Sequence, residues 1–164
     1  MKKTVLITIL MLSFAFANEL PSWFIKNSTD INALVKEANR VGKTATLFFD
    51  EDGCPWCKKM IKENFKKGKL LKTLKEKFFI MHIDNFGERK VIYKDKKITE
   101  EEFRKSLGIY FSPTMAFLDS SGKIVALFPG YRNPKKFKII IEYILSKAYK
   151  KYSYSDYLSE REFK

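Results

Sequence analysis

Two cysteines with two residues between them, Cys54 and Cys57, stand where a strand-forming segment gives way to a helix-forming one. The segment Thr44–Phe49 is apolar and rich in residues typical of a buried strand. The segment Met60–Phe65 has apolar residues at helical spacing. Pro55 suits the first turn of a helix, where its missing N–H is not needed. The pattern predicts a strand–turn–helix unit with one cysteine at the helix N-terminus and the other one turn deeper.

A Cys-x-x-Cys pair has two general interpretations, half of a zinc site or a redox dithiol. A structural zinc site needs four ligands. The chain has only these two cysteines and a single histidine, His82. Too few ligands remain for a second half-site, so we expect no metal and no other cofactor.

The position of the dithiol favours the redox interpretation. A cysteine at a helix N-terminus faces unpaired main-chain N–H groups and the positive end of the helix dipole, and both favour the thiolate. The deeper Cys57 lies on the same helix face as Cys54 and can attack a mixed disulfide formed there. The motif therefore predicts thiol–disulfide exchange.

The first residues indicate export. Lys2 and Lys3 precede an apolar run, and an Ala-Phe-Ala site ends at Ala17. This is the three-part pattern of a cleavable signal peptide, so we expect Met1–Ala17 to be removed. The apolar run is too short for a membrane span. We expect a periplasmic protein, in an oxidising compartment.

The rest of the chain predicts a single α/β domain over residues 18–150. Hydrophobic residues make up 45% and aromatic residues 15% of the chain, which excludes a disordered protein. The expected order is α, β, α, β, α, β, β, α, giving a central mixed β-sheet with helices on both faces. Thr99 and Glu102 predict a capping box for one helix. Only a loop with one short strand is expected in residues 85–97.

These features resemble the thioredoxin superfamily. The resemblance rests on the strand before the motif, Cys54–Met60, Ser112–Thr114 before a hairpin, and Gly130–Arg132 before the last helix. It covers residues 27–150 and implies a thioredoxin-like fold. Cys-Pro-x-Cys-Lys-Lys-Met with a later Gly-Tyr is most similar to exported thioredoxins of the SoxW type.

The resemblance also implies roles for individual residues. Cys54 would be the exposed nucleophile and Cys57 the buried resolving thiol. Pro113 would be the cis-proline that faces the dithiol, and Ser112 would offer its main chain to an extended substrate. Trp56 would either shape the substrate surface or only shield the sulfurs.

The sequence departs from the family pattern at two buried positions. Thioredoxins have an aspartate and a lysine where this chain has Phe48 and Ile80, and two apolar side chains are expected here instead. The usual proton acceptor for the resolving thiol is therefore missing. The loop acids are substitutes, with Glu51 the first candidate and Asp50 the second, both expected to be close to water. Gly53 replaces the family's tryptophan before the first cysteine, which predicts a less covered nucleophile.

The expected function is reduction of protein disulfides by a monomer, with a membrane thiol-electron donor as the redox partner. A disulfide oxidase or isomerase is the alternative enzyme. From another class, the chain could be a binding chaperone whose cysteines form only a structural disulfide. The net charge is +13, and the lysine-rich faces are expected to be solvated surface, with attraction to an acidic substrate protein or an anionic membrane as the alternative. Nucleic acid is not expected as a partner of an exported protein.

Two further features have open interpretations. We expect His82 to be a partly buried structural residue. Residues 151–164 form an aromatic C-terminal tail, which either packs back on the domain or docks a partner.

Overall fold

The computed structural model describes residues 20–162, so the expected signal peptide lies outside the described residues. The helices are α1 Ile31–Arg40, α2 Pro55–Met60, α3 Leu71–Lys77, α4 Glu100–Ser106, α5 Pro134–Leu145 and α6 Tyr154–Glu162. The strands are β1 Thr44–Asp50, β2 Phe78–Asp84, β3 Lys90–Tyr93, β4 Lys96–Thr99, β5 Thr114–Leu118 and β6 Ile124–Pro129. A π-helical segment, Ile61–Lys66, continues α2, and a 3₁₀ turn, Ala148–Lys150, follows α5. Within residues 20–162 no helix has the length and apolar character needed to cross a membrane.

The main sheet has four strands in the order β2-β1-β5-β6. Strand β1 runs parallel to β2 and antiparallel to β5, which is antiparallel to β6. The register pairs Asp50 with Asp84 and Phe49 with Thr114. The carboxyl ends of β1 and β2 therefore meet the start of β5 at one edge of the sheet.

The core lies on both faces of this sheet because side chains alternate along each strand. On one face Phe48 packs in a cluster with Met60, Phe65 and Ile140, so α2, the π-helical segment and α5 cover that side. Leu47 and the other odd-numbered residues of β1 join a second cluster with residues of α1 and α4. The mixed sheet with helices on both faces is confirmed.

A second, two-stranded sheet forms where the sequence predicts a loop with one short strand. Strands β3 and β4 pair as an antiparallel hairpin. Val91 is fully buried in the second core cluster. The N–H of Ile92 also donates to the carbonyl of Thr29, over 3.0 Å. These contacts come from distant parts of the chain. This explains why the local sequence pattern predicts only one short strand where the structure has two.

The aromatic tail packs on the domain. The Tyr154 ring meets the rings of Phe128 and Tyr143 edge-on, at centroid distances of 4.8 and 5.3 Å. The guanidinium of Arg161 forms an ion pair with Glu142 on α5. Helix α6 therefore covers aromatic surface of α5 and β6.

Candidate active site

The end of β1 turns the chain back toward α2. Asp50 is the last residue of β1 and is buried, so the expectation of a wet loop acid at this position is wrong. The N–H of Cys54 donates to the carbonyl of Glu51 over 3.4 Å, which closes a four-residue turn. Gly53 has a φ of +78°, a left-handed conformation that costs glycine little. This turn delivers Cys54 to the start of α2.

Cys54 caps α2 with its own sulfur. It has an extended main chain, and its Sγ accepts a hydrogen bond from the N–H of Cys57 over 3.1 Å. Pro55 occupies the first turn, as the sequence predicts. The two cysteines are joined in a disulfide, with their Cα atoms 5.3 Å apart. The pair can therefore exist as a disulfide within one helical turn.

Cys54 is more covered than the sequence suggests, whereas Cys57 is buried as the resemblance implies. Cys54 is only 6% exposed and Cys57 is fully buried. The expectation of a poorly covered Cys54 is wrong for the disulfide state, because its sulfur lies back over α2 against Cys57 rather than toward solvent. The order of exposure, with Cys54 the more accessible, agrees with the implied roles.

The segment before β5 lies at the same edge of the sheet. The Ser112–Pro113 peptide bond is cis, as the resemblance implies. The carbonyl of Pro113 accepts a hydrogen bond from the N–H of Gly130 over 2.7 Å. Because Thr114 pairs with Phe49 at the end of β1, Ser112 and Pro113 lie near the turn that leads to Cys54.

Two residues that sequence analysis missed support this segment. The Asn85 amide donates to the hydroxyl of Ser112, and its N–H donates to the carbonyl of Asp50 over 2.8 Å. The buried guanidinium of Arg104 donates to the carbonyls of Asn85 and Ile109, at 2.9 and 2.6 Å. Neither residue belongs to a motif, and an arginine on a short charged helix gives no sign that it is buried.

Exposed aromatic side chains lie in the cysteine motif and in the loops at the same edge of the sheet. Among the residues that the structure describes, four large hydrophobic side chains are more than half exposed, namely Trp56, Phe86, Tyr110 and Phe111. All four come from the motif or from the loops that Asn85 and Ser112 belong to. The other exposed large hydrophobic residues are less than two-fifths exposed. These four residues are called the aromatic collar below.

Tyr131 connects the motif to the loop after β6. Its ring lies 5.4 Å from that of Trp56, and the Lys59 ammonium lies 4.9 Å from the Tyr131 ring. The Tyr131 hydroxyl donates to the Glu63 carboxylate. Burial, together with this hydrogen bond, raises the pKa of Tyr131 to about 12. The loop after β6 is therefore held against the helix that carries the cysteines.

The two departures from the family pattern are apolar, as expected. Phe48 and Ile80 are buried in the same core cluster. The Phe48 ring meets those of Phe24 and Phe65 edge-on, at 5.7 and 5.5 Å. Neither position can accept or donate a proton near the cysteines.

An acid and a histidine do meet nearby, on the neighbouring strands. Asp50 Oδ1 lies 2.5 Å from His82 Nε2. The Asp50 side chain is 4% and the His82 side chain 15% exposed. Glu51, the first candidate among the loop acids, directly follows Asp50 and is half-buried. The sequence predicts a structural histidine but not its pairing with Asp50.

Comparison with known proteins agrees with this geometry. The family model of the thioredoxin-like domain matches residues 31–145. No curated protein matches the sequence.

Solved structures show the same fold. A thioredoxin-fold protein from Helicobacter pylori aligns with a TM-score of 0.61 at 23% identity, covering 73% of this chain and 80% of that one. A thioredoxin from Thermus thermophilus gives 0.58 at 16% identity, covering 76% and 89%. A thioredoxin h from poplar gives 0.50 at 22% identity, covering 69% and 86%. The predicted thioredoxin-like fold is confirmed, whereas the similarity to the SoxW type stays a prediction.

Proposed function

Because this chain belongs to the thioredoxin-like domain family, we propose that it is an exported reductase of protein disulfides that works through Cys54 and Cys57. The observation that carries the proposal is the cysteine pair within one turn of α2, with Cys54 capping the helix. Cys54 attacks the substrate disulfide, and Cys57 then resolves the mixed disulfide.

The aromatic collar supports a protein substrate. Exposed aromatic groups clustered at one edge favour contact with apolar surface of another molecule. Ser112, which precedes the cis bond to Pro113 at this edge, is suited to bind an extended substrate segment through its main chain. Trp56, between the two cysteines, belongs to the same surface.

The first experiment is reduction of insulin driven by dithiothreitol, with Cys54→Ser as the control. We expect the native protein to accelerate the reaction and the variant to be inactive. A native protein that binds unfolded chains but does not accelerate reduction would favour the chaperone alternative instead.

The direction of electron flow is tested by the reduction potential of the cysteine pair. A reductase supplied by a membrane thiol donor should lie near the thioredoxin value of about −270 mV. A value near about −120 mV would favour an oxidase and contradict the proposed direction.

Protein recognition is tested by replacing two collar residues together, Tyr110→Ser with Phe111→Ser. We expect the KM for a protein disulfide to rise on the order of tenfold, equivalent to about 1.4 kcal/mol. Reduction of a small aromatic disulfide should be unchanged. Leu127→Ser, a partly exposed position in the middle of β6, is the matched control.

Export is tested on the protein isolated from the cell envelope. Cleavage after Ala17 predicts a mature chain that begins at Asn18. Recovery of the chain with its first residues intact, in the cytoplasm, would contradict the proposed periplasmic location.

A further inference from the structure

We propose that the buried Asp50–His82 pair takes the proton of Cys57 when this cysteine resolves a mixed disulfide. This inference rests on the exchange function proposed above. It makes Asp50 rather than Glu51 the first candidate for the proton acceptor of Cys57. It also gives His82 a role in this proton transfer, which the sequence does not suggest. Phe48, which is fully buried on the same sheet face, is apolar and can take no proton from Cys57.

The pair lies on the sheet face that is covered by α2, the helix that carries the cysteines. Asp50 is two residues after Phe48 in β1, so both side chains are on the same face. His82 is the register partner of Phe48 on the parallel strand β2 and shares that face. Met60 packs against this face, and Cys57 is on the same buried side of α2, three residues earlier. The pair and Cys57 are therefore enclosed between α2 and the end of the sheet.

Asp50 and the two cysteines are also close in the sequence. The turn closed by Glu51 and Cys54 reverses the chain directly after Asp50. The Cα of Cys57 is only 5.3 Å from that of Cys54. Asp50 thus ends β1 directly before the turn that leads to Cys54, the residue that caps α2.

The pair has the chemistry of a proton acceptor. A buried carboxylate is costly unless it is paired, and the contact of Asp50 with the imidazole provides a partner. An imidazole both donates and accepts protons. His82 is the more exposed partner, so it can pass a proton from the buried carboxylate toward water.

Other charged groups adjoin the pair. Arg89 donates to the carbonyl of His82 and forms an ion pair with Glu100. Asp84 follows His82 on β2, and Glu51 follows Asp50. Any pH profile of the site includes these neighbours.

The step balances as an ordinary thiol–disulfide exchange. Cys57 gives its proton to Asp50 and becomes a thiolate. Its sulfur then attacks the sulfur of Cys54, forming the Cys54–Cys57 bond and breaking the bond between Cys54 and the substrate. The substrate sulfur leaves with the electron pair and takes a proton from His82 or from water. The protein is oxidised and the substrate is reduced by two electrons.

The test separates the two steps with a chromogenic aromatic disulfide. Mixing it with reduced protein releases one coloured thiolate when Cys54 attacks and a second when Cys57 resolves. In Asp50→Asn we expect the first phase to be unchanged. The second should slow on the order of 100-fold, the lower end for a positioned general base. Asp52→Asn, an exposed acid in the same loop, is the matched control and should leave both phases unchanged.

Three further variants keep the test decisive. His82→Gln should slow the second phase less than Asp50→Asn, because the carboxylate remains. Asp50→Glu retains an acid and should recover part of the rate. Glu51→Gln should have no effect. In Asp50→Asn the second phase should rise steeply with pH, following the thiolate fraction of Cys57, and it should depend less on pH in the native protein.

Equal second phases in the native protein, Asp50→Asn and His82→Gln would overturn the inference. A slower second phase in Glu51→Gln alone would overturn it in favour of the loop acid. If Asp50→Asn does not fold, His82→Gln decides by the same comparison. Absence of both phases in the native protein would instead overturn the proposed exchange function.

Discussion

The main-chain N–H of Cys57 donates to the sulfur of Cys54 over 3.1 Å, so the helix that carries both cysteines is capped by one of them. Once the disulfide is reduced, the same donor can stabilise a thiolate on Cys54. Cys57 is not at the helix N-terminus, because it lies inside α2, and its side chain is fully buried. The fold thus places two identical groups in different surroundings.

Alkylation of the reduced protein should reveal this difference. We expect iodoacetamide to modify Cys54 quickly at neutral pH, because the helix N-terminus favours its thiolate and it is the less buried of the two. Cys57 should react slowly until the protein is unfolded. Mass spectrometry of timed samples gives both rates, and equal rates would contradict the assignment.

Trapping of substrates should depend on which cysteine is removed. Cys57→Ser should accumulate mixed disulfides on Cys54, because no thiol remains to resolve them. Cys54→Ser is the matched variant and should accumulate none, since the nucleophile is missing. Non-reducing electrophoresis of whole-cell extracts, followed by detection of this protein, measures both. Similar trapping by the two variants would show that either cysteine can start the reaction.

Restoring the family's acid at the buried aromatic position should destabilise the protein. Phe48→Asp removes ring contacts with Phe24 and Phe65 and buries an unpaired carboxylate. We expect the free energy of unfolding to fall by about 4 kcal/mol. Phe48→Leu, which keeps an apolar side chain, should cost about 1.5 kcal/mol.

Urea unfolding at two pH values provides the check on Phe48→Asp. The variant should regain stability as the pH falls, because a buried acid with a raised pKa binds its proton more tightly in the folded state. A variant as stable as Phe48→Leu at neutral pH would mean that the new carboxylate finds a partner.

The contact between Tyr131 and Glu63 predicts a late tyrosine titration. Burial and the hydrogen bond to Glu63 raise the pKa of Tyr131 to about 12, above the ordinary value of about 10. The folded state therefore holds this proton more tightly than the unfolded state. Its contribution to stability is complete below about pH 10 and is lost as the pH rises toward about 12.

Phenolate absorbance, with Tyr131→Phe subtracted from the native protein, isolates this titration. Glu63→Gln should move it down toward the ordinary range, because the negative partner is removed. An unchanged titration in Glu63→Gln would assign the whole shift to burial.

Local patterns account for much of the site. The strand before Cys54, the proline in the first helical turn and the capping box of Thr99 and Glu102 are all present in the structure. Each depends on residues within a few positions of one another, so the sequence contains the relevant physics. Phe48 and Ile80 belong to apolar strand-like segments, so the same local patterns predict that their side chains lie in the core.

Contacts between distant segments were decided only by the tertiary structure. Asp50 meets His82 because β1 and β2 pair in parallel at one register. Val91 lies in a strand because its side chain is buried against the core. Arg104 can be buried because two main-chain carbonyls accept hydrogen bonds from its guanidinium.

The sequence by itself indicated which chemistry the chain carries, since the spacing of Cys54 and Cys57, the strand-like segment before them and the scarcity of other metal ligands together predict a dithiol at a helix N-terminus. The tertiary structure decided what surrounds it, including the buried Asp50–His82 pair and the collar of aromatic side chains at one edge. The physical reason is the range of the interactions. Spacing within one helical turn is set by local main-chain geometry, whereas strand register and burial depend on the packing of the whole domain.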